Sequence, residues 1–394
     1  MTQPLSTAEA ARRVGVSPGT LRRWAEAGVV PQAADGWDEA ALGQARLVAR
    51  LRSRGHTLAE IAQATGEGRL AFGSLEHLLQ PPGGDYTIDD AARETGLDAA
   101  LIRRLHTAMG FNAAALERLS EDDVQLLRYV AAVLAAGLPL VALLQLARVY
   151  GQALAQIADA EVRLFHLYVH EPLMRDGVPG IEVAEQMGGL SGELLPLASP
   201  IMEHIHRRFM AYFVEQDVVG HMETDPAAEA LELGRVRVAI AFADLAGYTR
   251  LTEEVGEEEA VGAVERFVEL VELTLPEDAR VIKTIGDEVM VVASDPSSLV
   301  DWAVGFQQLS TERPLPRIGL HWGQTIYRDG DYFGREVNLA HRVAARAAGG
   351  EVVVTRPVVQ VSGPHLEFER IGEVSLKGFT EPTELFLARP AEEG

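Results

Sequence analysis

Two aspartates at the ends of apolar runs are the first residues that could do chemistry. Asp244 closes the run Val236-Arg-Val-Ala-Ile-Ala-Phe-Ala-Asp244 and is followed by Leu-Ala-Gly-Tyr-Thr249; Asp287 follows a glycine in Lys283-Thr-Ile-Gly-Asp287-Glu. Two hydrophobic strands that each deliver a carboxylate to a turn offer oxygen ligands to a hard cation such as Mg²⁺ or Mn²⁺. Taken singly, either aspartate reads equally well as a turn residue. A third constellation is Asp329-Gly-Asp331-Tyr-Phe-Gly334-Arg-Glu-Val-Asn338-Leu-Ala-His-Arg342. Its Asn338 and Arg342 are i,i+4 and share one face of a helix. Such a pair suits a phosphate and a ribose, and is also what a solvated helix face looks like. Of 35 basic residues only Lys283 and Lys377 are lysines. In a chain that otherwise uses arginine, they mark positions suited to a compact ammonium.

These residues need a scaffold, and from 235 onward the pattern supplies one. A strand is expected over 236–244, a helix over 249–275, strands over 279–285 and 288–293, and a helix over 297–310. A strand over 316–322, a helix over 335–347, a strand over 351–355 and short strands within 366–388 complete the pattern. The β-α-β-β-α-β order predicts an α+β, ferredoxin-like C-terminal domain over 235–390.

The N-terminal half reads as all-α. Ser6-Thr-Ala-Glu9 fits a capping box, Gly15-Val16-Ser17 a turn, and Ser17-Pro18 an N-cap with proline at N1, so residues 5–28 form a helix-turn-helix. Two further helices are expected within Leu42–Ala62, broken at Gly55-His56-Thr57. The pattern then repeats. Ala10-Ala11-Arg12, Gly15-Val16 and Leu21-Arg22-Arg23 return as Ala91-Ala92-Arg93, Gly96-Leu97 and Ile102-Arg103-Arg104, while Leu42, Arg46, Gly55 and Leu58 return as Val124, Arg128, Gly137 and Leu140. The first copy resembles the MerR-type winged-helix DNA-binding module. That resemblance makes Arg22 and Arg23 candidate DNA contacts, with helix 17–25 in a major groove. Against it, residues 1–70 hold nine arginines and seven acids, and the expected wing, Ala33–Glu39, is acidic. DNA is therefore the less favoured partner. The domain plan is a helix-turn-helix module at 1–75, a degenerate second copy at 86–150 and a helical regulatory or linker region at 151–225. Within the last, Gly177–Gly192 reads as a glycine-rich connection and Ser199–Val219 as one long amphipathic helix carrying Ile201, Ile205, Phe209 and Phe213. Five of the eleven histidines (His166, His170, His204, His206 and His221) lie here. They read as surface residues, a protonation switch or, for His166/His170, a metal pair lacking a carboxylate companion.

Composition narrows the classes. The net charge is −23 and both halves are acidic, so nothing here is a general polyanion binder. The absence of cysteine excludes disulfides, a thiol nucleophile and cysteine-ligated zinc. Tyr129–Ala147 is an uncharged run of nineteen residues, long enough to raise a membrane span. Gly137-Leu-Pro139 inside it reads instead as a turn between two buried helices. With no export signal, the expected location is the cytoplasm.

Phe242-Ala-Asp244-Leu-Ala-Gly-Tyr-Thr249, Lys283-Thr-Ile-Gly-Asp287, Asp331-Tyr-Phe-Gly-x-x-Val-Asn338-Leu-Ala-x-Arg342 and Leu376-Lys377-Gly378 occur in order. Together they resemble the class III adenylyl/guanylyl cyclase catalytic domain, and more weakly the whole chain resembles bacterial cyclase holoenzymes with a restraining helical half. The resemblance implies that Asp244, the Leu245 carbonyl and Asp287 hold two Mg²⁺ or Mn²⁺ ions, that Lys283 and Asp331 read adenine, and that Lys377 neutralises the β- and γ-phosphates. It further implies that Asn338 positions the ribose and Arg342 stabilises the α-phosphoryl group. The substrate would be ATP rather than GTP, and the site would form between two catalytic domains of a head-to-tail homodimer. His341 stands where the family more often has a small residue, and little effect is expected of it. The second reading is a MerR-like transcription regulator with a nucleotide-sensing, non-catalytic cyclase-like domain.

Overall fold

Asp244 sits near the end of a strand whose last eight residues are buried, and the C-terminal half is built around that strand. The computed structural model describes residues 4–31, 36–70, 84, 86–112, 116, 118–175, 180–223 and 235–391. These fall into two units, Met1–Met210 and Ala211–Gly394.

The first unit is helical: α1 Thr7–Val14, α2 Pro18–Glu26, α3 Glu39–Ser53, α4 Leu58–Gly66, α5 Ile88–Thr95, α6 Ala99–Ala108, α7 Glu121–Ala135, α8 Leu140–Phe165, α9 Glu171–Arg175 and the start of α10 Gly180–Glu223. One π-helical turn, His166–His170, joins α8 to α9. Local chemistry sets the helix ends. Ser6 and Glu9 form the expected capping box, Gly15 closes α1 at φ 78°, and Ser17 caps α2 ahead of Pro18. Thr87 with Asp90, Gly96 at φ 72° and Asp98 do the same for α5 and α6. Leu5 bridges Trp37, and Tyr86 bridges Leu119. Ala10, Leu21 and Leu42 are buried in one small core; Ala91, Ile102 and Val124 are buried in another. Of the expected wing, residues 33–35 lie outside the described residues, while Trp37 is buried and donates from Nε1 to Thr7 Oγ1 at 3.1 Å.

Three expectations need correction here. Gly177–Gly192 is not a connection: from Gly180 onward the chain is helical through Glu223, and residues 177–179 lie outside the described residues. A glycine costs a helix only about 1 kcal/mol, and Val183 and Met187 bury against Phe165, Val169 and Leu173. Ser199-Pro200 is therefore no helix start; Pro196 and Pro200 both lie inside α10. Second, Tyr129–Ala147 does turn at Gly137 (φ 101°), but the flanking helices leave Tyr129 and Val141 more than 60% exposed rather than buried. Among the described residues, Leu140–Arg175 is the one helical stretch long and apolar enough to cross a membrane by length and composition. Third, His170 is not a surface residue: its Nε2 lies 3.0 Å from the Gly68 carbonyl oxygen and its Nδ1 lies 3.1 Å from His166 Nδ1. His204 and His206 are exposed, and the side chain of His221 lies outside the described residues.

The second unit contains the end of α10 and a mixed sheet. Its elements are β1 Arg235–Leu245, α11 Tyr248–Val255, α12 Glu257–Thr274, β2 Ala279–Ile285, β3 Glu288–Ala293, α13 Pro296–Leu309, β4 Pro316–Arg328, β5 Asp331–Phe333, α14 Arg335–Ala344, β6 Val352–Thr355, α15 Arg356–Val359, β7 Leu366–Val374 and β8 Thr383–Pro390. The strand order is β2-β3-β1-β4-β6-β8-β7, with β5 paired to β4. The first four strands give the β-α-β-β-α-β order read from the sequence, all antiparallel; β6 then joins β4 in parallel. The helix expected over 249–275 is two helices, because Gly256 turns at φ 91°. The strand expected over 316–322 runs on to Arg328 and folds back through Asp329-Gly330, both at positive φ, to begin β5 with Asp331.

Period-2 alternation gives β1 two faces. Ala239, Ala241 and Ala243 face α12 and α13, packing with Phe267, Leu299 and Phe306. Val238, Ile240 and Phe242 face α14, packing with Met290, Ala340 and Ala344. By the same parity Asp244 belongs to the α14 face. That helix lies close on the sheet because Gly319 in β4 has no side chain: a Cβ there would stand 2.0 Å from the Ala344 nitrogen.

Candidate active site

The antiparallel register assembles the charged end of the sheet. Asp244 pairs with Glu288 on β3 and with Arg317 on β4. Arg317 donates from Nε to Asp244 Oδ2 at 2.7 Å, and its Nη2 contacts the same oxygen. Asp287, in the β2–β3 turn after Gly286, is within hydrogen-bonding reach of Asp244. Burial raises the Asp287 carboxyl to about 6, with the shared hydrogen bond and the charge of Asp244 adding to the rise. Glu288 is raised further, to about 7, by burial and then by Asp244 and Asp287. Its Oε1 lies 3.4 Å from His341 Nε2. Burial, and then the nearby Arg342 guanidinium, lower the His341 imidazole.

A buried carboxylate, Asp244, and a half-buried one, Asp287, forced together in this way repel each other, and their oxygens form a hard donor set. Asp244 and Asp287 therefore fit a divalent cation, with the Leu245 carbonyl adjacent in the chain. Among the described residues no group of three or more His, Asp or Glu side chains gathers in metal-binding geometry. Two carboxylates leave coordination positions for ligands from elsewhere.

A second cluster lies along β2 and β5. Lys283 forms an ion pair with Asp331, whose Oδ1 also accepts the Tyr332 N–H at 2.8 Å. The Tyr332 hydroxyl accepts from Arg280 Nη2 at 2.7 Å. The Arg280 guanidinium also stands 5.2 Å from the Phe213 ring, and Tyr212 Oη donates to the Glu277 carbonyl at 2.5 Å. The end of α10 thus packs beside the strand that carries Lys283.

α14 supplies the third group. Asn338 is exposed and Arg342 half-buried. Arg342, Ala345, Arg346, Ser375, Leu376 and Lys377 line a cavity of about 470 Å³. The N-terminus of α14 is pinned through buried His321, whose Nε2 lies 2.5 Å from Glu336 Oε2 and whose Nδ1 lies 2.8 Å from Thr355 Oγ1.

Two family models match the chain: the adenylate cyclase regulatory domain over residues 30–210, and the adenylate and guanylate cyclase catalytic domain over residues 234–389. An adenylate cyclase of Streptomyces coelicolor is 32% identical, over 73% of this chain and 74% of its own length. This chain belongs to the class III adenylate cyclases. A Streptomyces griseus adenylate cyclase is 33% identical over 71% of the present cyclase and 69% of its own length. A protein of Mycobacterium tuberculosis named pH-sensitive adenylate cyclase is 30% identical over 88% of each chain.

Placed on the cyclase, the sequence-derived residues fall into sets. Asp244, Leu245 and Asp287 share the end of the β1–β3 pair; Lys283 and Asp331 share an ion pair; Arg342 and Lys377 share the cavity wall. Arg22 and Arg23 lie exposed on α2 in the other unit, where Arg23 Nη2 donates to Thr20 Oγ1 at 3.3 Å. Sequence reasoning missed Arg317, Glu288 and Arg346. Glu288 adjoins Asp287, and Arg346 stands four residues after Arg342, so both had a readable signal. Arg317 had none, because only the β1–β4 register brings it to Asp244. His341 packs edge-on against Phe242 (5.2 Å between ring centres) and reaches Glu288.

Proposed function

We propose that this cyclase converts ATP to 3′,5′-cyclic AMP and pyrophosphate at a site shared by two copies of the chain. The observation that carries the reading is the pair formed by buried Asp244 and half-buried Asp287, with the Asp287 carboxyl raised to about 6. When bound there by Asp244, the Leu245 carbonyl and Asp287, two Mg²⁺ or Mn²⁺ ions would acidify the ribose 3′-hydroxyl and neutralise the triphosphate.

The protein's own groups do the rest. Lys283 donates to adenine N1, and Asp331 accepts from the exocyclic amine. Guanine presents the opposite pattern at both atoms, which leaves buried groups unpaired and disfavours GTP. Asn338 holds the ribose so that its 3′-oxygen lies in line with the α-phosphorus. Arg342 stabilises charge gathering on the α-phosphoryl oxygens, and Lys377 binds the β- and γ-phosphates. In a head-to-tail homodimer, Asp244 and Asp287 come from one protomer and Lys283, Asp331, Asn338 and Arg342 from its partner, giving two equivalent sites. The exposed apolar residues of α10, Ile201, Ile205 and Phe209 among them, suit a helix that is covered in such an assembly.

The N-terminal half regulates. Its two helix-turn-helix copies, 1–75 and 86–150, and the region 151–225 act through α10, whose Phe213 lies beside Arg280 of the strand carrying Lys283 and whose Tyr212 donates to the Glu277 carbonyl just before it. Acid pH is the input we favour. The element we point to is the pair His166 and His170, whose Nδ1 atoms lie 3.1 Å apart while His170 Nε2 lies 3.0 Å from the Gly68 carbonyl oxygen. The whole is read as cytoplasmic. The MerR-like DNA-binding alternative is not favoured, since a sensor has no use for the paired aspartates.

The test is Mn²⁺ binding by electron paramagnetic resonance in the presence of a non-cyclisable ATP analogue. Wild type should bind Mn²⁺, and Asp287→Asn should weaken binding by an order of magnitude or more. Equal binding by the two proteins would remove the cation site from the account.

A further inference from the structure

The cavity beneath α14 holds more positive charge than the assigned residues explain. Three of its six lining residues, Arg342, Arg346 and Lys377, are cations, and none is an acid. Other arginines of this acidic chain are paired with acids: Arg317 with Asp244, Arg128 with Glu94 and Glu121, Arg356 with Glu384. Among the described residues, Arg342, Arg346 and Lys377 form no ion pair. Arg346 lies in the turn just past the end of α14, with its Nη2 donating to the Ser375 carbonyl at 3.1 Å. That bond holds the guanidinium beside the segment that ends in Lys377 and leaves its other donors unassigned.

We infer that Arg346 is a third phosphate contact, which with Lys377 grips the β,γ-diphosphate of the substrate and afterwards the pyrophosphate product. The inference rests on the cyclase reading of the same site and adds a residue to it. Three unpaired cations around about 470 Å³ form a polyanion receptor of ordinary ligand size. An arginine presents a planar fork to two phosphate oxygens, where the lysine presents a point charge. Arg342 on the last turn of α14 and Arg346 in the turn that follows line the same cavity, so the two can span the nucleotide from α-phosphoryl to diphosphate. It also predicts that product release is held back by the same grip.

The experiment uses the full chain with Mn·ATP as substrate and two inhibitors, pyrophosphate and adenosine, on wild type, Arg346→Ala, Arg346→Lys and Lys377→Ala. Arg346→Ala should raise both the KM for ATP and the Ki for pyrophosphate about tenfold, and Arg346→Lys should recover part of each. The Ki for adenosine, which has no phosphate, should not move. Unchanged pyrophosphate inhibition in Arg346→Ala, with a rise in Lys377→Ala, would overturn the role of Arg346 and leave the cyclase reading standing. If neither variant moves it, the cavity is not a phosphate site and the Lys377 assignment falls as well. A rise for adenosine equal to that for pyrophosphate would show that the substitution merely displaces α14, which also overturns the inference.

Discussion

At the scale of residues, the site is defined by two acids held above their ordinary range, Asp287 and Glu288, beside an aspartate, Asp244, that accepts from the Arg317 guanidinium. Glu288 gives the cleanest consequence. Its folded value, about 7, lies above the ordinary 4.5, so the folded protein keeps a proton that the unfolded chain has lost. The resulting loss of stability is absent below about pH 4.5, grows as pH rises through that window, and is complete above about pH 7. With a side chain 16% exposed, the effect discounted for screening is about 1 to 2 kcal/mol. In metal-free protein, Glu288→Gln should therefore exceed wild type in urea stability by that amount at pH 8 and match it near pH 4.5. A difference that does not change with pH would contradict the assigned cause. Much of this scale was legible in the sequence, because Asp244, Asp287, Lys283 and Asp331 each stand beside a turn residue or in a motif with fixed spacing. Arg317 was not: pairing register is a property of two strands sixty or more residues apart, and no local pattern encodes it.

At the scale of elements, the decisive contact is α14 on β4. Gly319 lets the helix sit on the strand, His321 ties down its start, Asn338 stands on its first turn and Arg342 on its last, and Arg346 lies in the turn that follows. Gly319→Ala would drive a methyl group to 2.0 Å from the Ala344 nitrogen, which is backbone and cannot swing aside. The helix must shift, at about 1 to 3 kcal/mol of stability. Calorimetry should show a fall in Tm of several degrees, accompanied by a raised KM for ATP; an unchanged Tm would mean that α14 is not seated so closely. The sequence predicts the strands and their order well, since each is a short apolar run ended by glycine, aspartate or proline. It misleads at α10. Glycines at 188, 189 and 192 and prolines at 196 and 200 read as punctuation, yet the helix runs through all five. Local propensity is weak enough for packing at Val183 and Met187 to override it. The same weakness hid the exposure of α8 and α10: an amphipathic pattern states that a face will be covered, not by what.

At the scale of the whole molecule, an acidic chain of two units joins a helical half, matched by the adenylate cyclase regulatory-domain model, to a cyclase catalytic half. Neither composition nor charge distinguishes the halves, and the family assignment rests instead on motif order in the second and on relatives that match most of the chain. The proposal that two copies complete each site makes a demand on activity that no single-chain enzyme meets. Asp287→Ala removes a group from one side of every site, and Arg342→Ala removes a group from the other. Each alone should be inactive. Mixed, they form heterodimers in which one of the two sites is intact.

The most direct measurement is therefore cyclic AMP formation from Mn·ATP by the full chain, with GTP as comparator, for wild type, Asp287→Ala, Arg342→Ala and the equimolar mixture of the two variants. The account predicts cyclic AMP from ATP, at least about a hundredfold less cyclic product from GTP, no activity from either variant, and about a quarter of wild-type activity from the mixture. A folded wild-type protein that makes no cyclic AMP, or an Asp287→Ala protein that still does, would contradict the account.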